Sequence, residues 1–486
     1  MMRALVLLHR WLGIAFCLLF ALWFGSGLVM HFVPYPAPVE AERLAGLAPI
    51  DFSRVRRGPA DAVAASAIGH ADRVRLIERA DGPVYVISNA ARVVALHAAD
   101  LSGAALGAPA LALAVAADVA RRRGFDAAAA RLESLSRADQ WTLADGFDRH
   151  RPLYRVALND RAGTELYVSS ATGEVVLATA RRQRAWNYVG SVAHWIYPTA
   201  LREHPAAWSA LLYWLSLAAL IAAVAGAIVG VLRIGAEGGR LVSPYRGVAA
   251  WHHILGLACM LFVLSFIFSG FLSMDDGRLF SSGKPAAADA AALAGSPQWQ
   301  AAPPLNRVGA ATIEVEWFGF GGQTFRRERG GAGERLLFAE SGEGGEPTAA
   351  RSFLRPDQID AAGRALARPC KPAFAVEPSD DYAIAPIDPG APVFRLVCGD
   401  DWFDIDGENG AVLDRLDSSA RAYRWLYRGL HTLDFPALTA RPALRTALIV
   451  GLCGAGLIFS LTGIVVAWRR VLAIFGATPR LPDVML

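Results

Sequence analysis

LHRWLGI at residues 8–14 and WHHILGL at residues 251–257 decide the reading of this chain, because the second echoes the first and each opens a long apolar run. Aligning Gly13 with Gly256 also lays His9 on His252 and Gly27 on Gly270, all at one offset of 243 residues. Further along, SATGEVV at 170–176 and DGENGAV at 406–412 align through Gly173 and Gly410 at an offset of 237, which also lays His194 on His431. A sequence that contains itself twice and keeps histidines at the ends of its apolar runs predicts paired metal or haem ligands rather than scattered packing residues.

Residues 11–33, 208–232, 248–274 and 446–468 are free of Asp, Glu, Lys and Arg. Each exceeds the roughly 20 residues needed to cross a hydrocarbon core of about 30 Å. With 54% hydrophobic and 19% charged residues, the chain is too apolar for an ordinary soluble enzyme. The expected fold is therefore an all-α four-helix transmembrane bundle carrying α+β domains, with an internal duplication. The first run is longer than the roughly 7 to 15 residues of a cleaved signal, so a retained anchor is expected. Arg3 and Arg10, then Arg233, Arg240 and Arg246, then Arg469 and Arg470 mark one side of the membrane. Cytoplasmic loops carry the positive excess, so both termini are expected inside, in a bacterial inner membrane. Arg181, Arg182, Arg184, Arg441 and Arg445 on the other side reduce that excess without reversing it. The division expected is 1–34, 206–233, 248–274 and 443–469 as spans, 35–205 and 275–442 as periplasmic regions, and 234–247 and 470–486 as cytoplasmic segments. A net charge of +4 belongs mostly to these flanks and implies no nucleic acid.

The two outer regions read as small α+β modules. In the first, a helix at 109–123 precedes strands at 153–158, 165–169 and 174–177; in the second, strands fall at 393–398, 402–405 and 411–416. A helix and hairpin fall at 60–96. Stretches around 281–305 and 329–347, rich in Ala, Gly, Pro and Glu, read as loops or linkers, and so does the glycine-rich FGFGGQ at 318–323. Cys17, Cys259 and Cys453 fall inside spans as apolar fillers. Cys370 and Cys398 share an outer region, where a disulfide or two free thiols both stay open.

LHRWLGI, its echo WHHILGL, the extended YVSSATGEVV at 167–176 and the histidine-bearing approach to each even-numbered span resemble the PepSY-associated transmembrane proteins. That resemblance covers nearly the whole chain, least of all 281–350. It implies a four-span bundle with periplasmic PepSY-like regions. Within the family it points toward iron-regulated inner-membrane proteins similar to ferric-siderophore reductases, in which two b-type haems pass electrons outward. Other members of the class would be haem-free regulatory proteins contacting periplasmic peptides or proteases.

The residues support electron transfer independently. On a helix, His9 and His31 lie 22 positions apart, a rise of about 33 Å over about six turns, so they share a face. His252 stands in the same relation to Met274, with His253 turned about a quarter of the way round. The pseudo-twofold pairs His9 with His252 at an inner site, for which His253 is the substitute. At an outer site His194 and His431 could share an iron, or His31 could pair with His194 and leave Met274 and His431 as the equivalent. A lone histidine at a membrane edge is ordinarily a hydrogen-bonded interface residue; the repeat lifts this set above that. His70, His97, His150 and His204 lack membrane placement or a repeat partner and read as solvated loop residues. Trp186, Tyr188, Trp195 and Tyr197, with Tyr423, Trp425 and Tyr427, read as an aromatic interface belt. No GxGxxG opening a βαβ unit and no P-loop appears, so electrons need a separate cytoplasmic donor. The expected activity is that of an oxidoreductase with haem b, two per chain, acting on a ferric siderophore or other ferric chelate.

Overall fold

Pro205 and Pro442 each occupy the first turn of a long apolar helix, where their missing N–H costs no hydrogen bond. The computed structural model describes residues 2–475 apart from 238–239, 276, 282, 303–304, 306–307, 334, 340–350 and 388–389. Among the described residues four helices are long and apolar enough to cross a membrane: Met2–Phe32, Pro205–Leu232, Val248–Leu272 and Pro442–Ile474, here the first to fourth spans. The first packs against the second and fourth, and the third against the same two. Leu18, Trp214, Leu261 and Trp468 point outward and are exposed, whereas Phe24, Ala219, Cys259, Val263 and Cys453 are buried between helices. Buried Ala219, Ala222 and Ala225 let the second span approach its neighbours closely.

The chain forms two compact units, and the first comprises the spans with residues 185–282 and 421 onward. The stretches 185–205 and 421–442 thus belong with the spans rather than with the outer regions. Polar ties explain this: the Asn187 amide donates to the Pro34 carbonyl at 3.1 Å, and the Tyr423 hydroxyl donates to the Leu272 carbonyl at 3.0 Å.

The second unit, residues 36–184 and 283–420, is built on three antiparallel sheets. A six-stranded sheet runs in the spatial order Arg335–Ala339, Gln323–Gly330, Thr312–Phe320, Arg73–Arg79, Gly82–Ser88, Val93–His97. It therefore joins strands from both outer regions, with Leu76 opposite Val315 and Arg75 opposite Glu316. One four-stranded sheet comprises Arg131–Ser136, Leu153–Ala157, Glu165–Ser169 and Val175–Thr179, covered by the helix Pro109–Arg122. The other comprises Phe374–Ala375, Val393–Cys398, Asp401–Asp406 and Val412–Leu416, beside the helix Pro356–Gly363.

Several expectations are corrected here. FGFGGQ is the turn of a hairpin: Gly321 and Gly322 both adopt positive φ, 60° and 77°, the twist a two-residue hairpin needs. The expected linker at 281–305 contains the helix Ala287–Ala294, whose Leu293 enters the core. In 329–347, Arg335–Ala339 is a strand, and 340–347 lies outside the described residues. His150 is no solvated residue: it is buried, with Nδ1 3.3 Å from the Ser169 hydroxyl, and burial pushes its imidazole down to about 4. His97 ends a strand rather than sitting in a loop. Cys370 and Cys398 are disulfide-bonded, while Cys17, Cys259 and Cys453 are free thiols.

One face of the six-stranded sheet carries charge instead of apolar side chains. Fully buried Glu314 accepts from Arg43 at 2.7 Å, and Glu316 pairs with Arg73 and Arg327. Two turns lower further acids onto this face: Glu174 binds Arg75 through both oxygens at 2.6 and 2.8 Å, and Glu408 lies 3.2 and 3.3 Å from Arg327 and Arg329. Burial alone would raise these carboxyls. The surrounding guanidiniums win, holding Glu174 and Glu316 at about 2 and Glu314 well below the ordinary range.

Candidate functional site

Four of the six candidate histidines meet in two pairs. His9 and His252 have ring centroids 6.5 Å apart at an interplanar angle of 26°. His194 and His431 have centroids 6.2 Å apart at 63°. Seventeen residues separate His9 from Ser26, which contacts His194, so the pairs are spaced by a rise of about 26 Å along the first span. Between them lies an apolar interior of Phe24, Phe262, Phe266, Cys259 and Cys453.

Each ring is seated in the same way. Its Nδ1–Cε1 edge packs on a glycine of a neighbouring helix. Cβ atoms built on Gly226, Gly463, Gly27 and Gly270 would lie 2.6, 3.2, 3.4 and 3.3 Å from Cε1 of His9, His252, His194 and His431 respectively. At Gly226 no side chain fits while His9 keeps its place. Each Nδ1 has a hydrogen-bond partner. It is the Ala222 carbonyl at 3.3 Å for His9, the Thr462 hydroxyl at 3.1 Å for His252, Ser26 at 3.0 Å for His194 and Ser269 at 3.1 Å for His431. Nε2 of all four has no hydrogen-bond partner among the described residues.

The other two candidates are engaged differently. His253 uses both nitrogens, Nδ1 with Ser243 and Nε2 with the Gly230 carbonyl, each at 2.9 Å. His31 turns Nε2 to Thr446 at 3.0 Å, and no ring contact joins it to His194. The structure thus brings His194 to His431, leaving the arrangement of His31 with His194 unformed.

Local backbone explains how His194 and His431 are presented. His194 and His431 each follow a π-helical turn, Tyr188–Val192 and Arg424–Gly429, the wide turn that often marks functional positions. Two residues beyond each histidine, Ile196 and Leu433 adopt positive φ of 45° and 51°, a strained conformation for branched side chains. That strain ends the helix just past the imidazole. Tyr427 lies 5.8 Å from His431, while Tyr35, Trp195, Tyr197 and Trp208 form a ring cluster joined by Arg202. Part of the expected aromatic belt therefore adjoins the outer pair.

Sequence reasoning singled out Gly27 and Gly270 only as alignment marks and missed Gly226, Gly463, Ser26, Ser269 and Thr462. The signal was available: Ser26 and Ser269 obey the offset of 243, and Gly226 and Gly463 that of 237. Among the described residues no group of three or more His, Cys, Asp or Glu could hold a metal ion.

No curated protein matches the chain. A family model described as the PepSY-associated TM region matches residues 6–470. That match runs through all four spans and both histidine pairs, so this four-span membrane protein belongs to the PepSY-associated transmembrane family.

Proposed function

We propose that the protein is an inner-membrane reductase that holds two haems b between its spans and passes electrons from a cytoplasmic donor to a periplasmic ferric chelate. The observation that carries this reading is the seating of the four histidines in two pairs with Nε2 unengaged. Two imidazoles on opposite sides of one metal, each at a bond length of about 2 Å, stand about 6 Å apart centre to centre. The pairs stand at 6.5 and 6.2 Å. Two imidazoles alone are a poor cage for a bare ion, but they would suit a metal that brings further ligands of its own, as a haem would. His9 and His252 would hold the inner haem, His194 and His431 the outer one. Bound there, haem supplies a one-electron couple on each side of the bilayer.

The chain's own contribution is to seat and insulate. Glycines at 27, 226, 270 and 463 make room for the rings, and the apolar interior between the pairs keeps water out of the path. Orientation is read from Arg3, Arg10, Arg233, Arg246, Arg469 and Arg470 at the inner edge and from the Cys370–Cys398 disulfide, which suits an oxidising compartment for the second unit. The acceptor we favour is a ferric siderophore: one electron converts Fe(III) to Fe(II), for which hard oxygen ligands have less affinity, and the metal is released.

The test is an optical spectrum. Detergent-purified protein from haem-replete cells is expected to show a Soret band and a sharpened α band on dithionite reduction. A colourless preparation would refute the reductase and leave the haem-free regulatory reading.

A further inference from the structure

A neutral imidazole carries its proton on Nδ1 or on Nε2, and only the first form leaves Nε2 free to bind a metal. The spans decide between the two through hydroxyl groups whose own protons are already committed. Ser26, 3.0 Å from His194 Nδ1, donates to the Leu22 carbonyl at 2.5 Å. Ser269, 3.1 Å from His431 Nδ1, donates to the Ser265 carbonyl at 2.7 Å, and the Phe266 carbonyl, 3.3 Å from the same Nδ1, is a second and longer acceptor for that ring proton. Thr462, 3.1 Å from His252 Nδ1, donates to the Phe459 carbonyl at 2.6 Å. With its proton directed down its own helix, each hydroxyl can only accept from the histidine. The Ala222 carbonyl imposes the same choice on His9. His253 is forced the other way, because its Nε2 faces the Gly230 carbonyl and must carry the proton.

We propose that Ser26, Ser269 and Thr462 are positioning residues that lock His194, His431 and His252 in the Nδ1–H tautomer and strengthen Nε2 as a donor, an inference that rests on the haem reading above. An Nδ1–H that donates to an acceptor makes the ring more electron-rich, which favours the ferric over the ferrous state. Ser26 and Ser269 are 3% and 0% exposed, so bulk solvent does not reach either hydroxyl.

Potentiometric titration of the full-length protein in detergent tests this. Ser26→Ala and Ser269→Ala should each raise the midpoint of the outer centre and leave the inner one in place. Thr462→Val should do the reverse. A tenfold loss of ferric preference, at the low end for such supporting residues, reads as about 59 mV for a one-electron couple. Ser26→Thr and Ser269→Thr restore the hydroxyl and should restore the wild-type midpoint. Alanine variants with both midpoints unchanged would overturn the proposal. Where an alanine variant loses the outer haem altogether, the threonine variant decides: a wild-type spectrum and midpoint upholds the lock, and a defect equal to that of alanine overturns it. A wild-type protein without any haem spectrum would refute the parent reading instead, a result distinct from silent serine variants.

Discussion

The span unit and the sheet unit bury polar groups by opposite rules. On the charged face of the sheet unit four buried carboxylates are matched in charge: Glu174, Glu314, Glu316 and Glu408 each face at least two guanidiniums within 4 Å. Taking such charges out of water is costly, and only close partners offset it. In the span unit the polar side chains at the helix interfaces are hydroxyls and imidazoles, and among the described residues four of the imidazoles have no hydrogen-bond partner at Nε2. The contrast teaches where to look for chemistry. A network matched in charge holds a fold together, whereas a buried imidazole ring with one unengaged nitrogen, seated by glycine on one edge, has capacity left for a ligand.

The largest effect should come from breaking a pair. His9→Ala and His252→Ala are each expected to remove about one haem equivalent in a pyridine haemochrome assay, and the double variant no more than one, because shared ligands are non-additive. Strictly additive losses would place the two histidines on different irons and dissolve the inner site as drawn.

Glu314→Ala attacks the other side of the comparison. It takes one acid out of a buried layer in which Arg43 and Arg75 keep only Glu40 and Glu174, and should cost the sheet unit about 3 to 5 kcal/mol, seen as a lowered melting transition with the haem spectrum intact. Loss of haem from this variant would mean that the sheet network and the histidine pairs are one system, contrary to the division drawn above.

Acidification offers a milder probe. Burial holds the His150 imidazole down at about 4, so the folded state keeps it neutral where the unfolded chain, near 6.5, binds a proton. Its contribution is therefore complete above about pH 6.5 and is lost as pH falls toward 4, a ceiling of about 3 kcal/mol. Glu174 and Glu316, held at about 2, add their own loss only below the ordinary carboxylate value of about 4.3. Melting temperature followed from pH 7 to 4 should decline in the wild type and flatten in His150→Gln; equal slopes would remove His150 from the account.

The smallest effect is expected where both ring nitrogens are engaged or Nε2 is turned away. His253→Ala and His31→Ala should retain two haems per chain and the wild-type spectrum. If either loses a haem, an unengaged Nε2 is not the mark of a ligand.

Much of this was legible in the chain. The four apolar runs, the echo of LHRWLGI in WHHILGL and the two offsets pointed to His9 with His252 and to His194 with His431 as relatives, because a helix that repeats its neighbours' sequence repeats their contacts. What could not be read was which candidates are already engaged. His253 is adjacent to His252 and chemically identical, yet its ring is consumed by Ser243 and Gly230, one of them on a different span. Likewise, Gly-Gly at 321–322 looked like loop composition, and only the pairing of Thr312–Phe320 with Gln323–Gly330 makes it a hairpin.

Hydrophobic run length and alternation are local properties of the chain, so four membrane-length helices, their histidine-bearing ends and three strands of each four-stranded sheet could be read directly, whereas Arg131–Ser136 and Phe374–Ala375 could not. Only the tertiary structure shows that Arg73–Arg79 pairs with Thr312–Phe320, joining regions more than 200 residues apart into one sheet, and that His194 stands against His431 rather than against His31. Strand register and the partner of a ring nitrogen depend on which surfaces meet, and no local pattern encodes that.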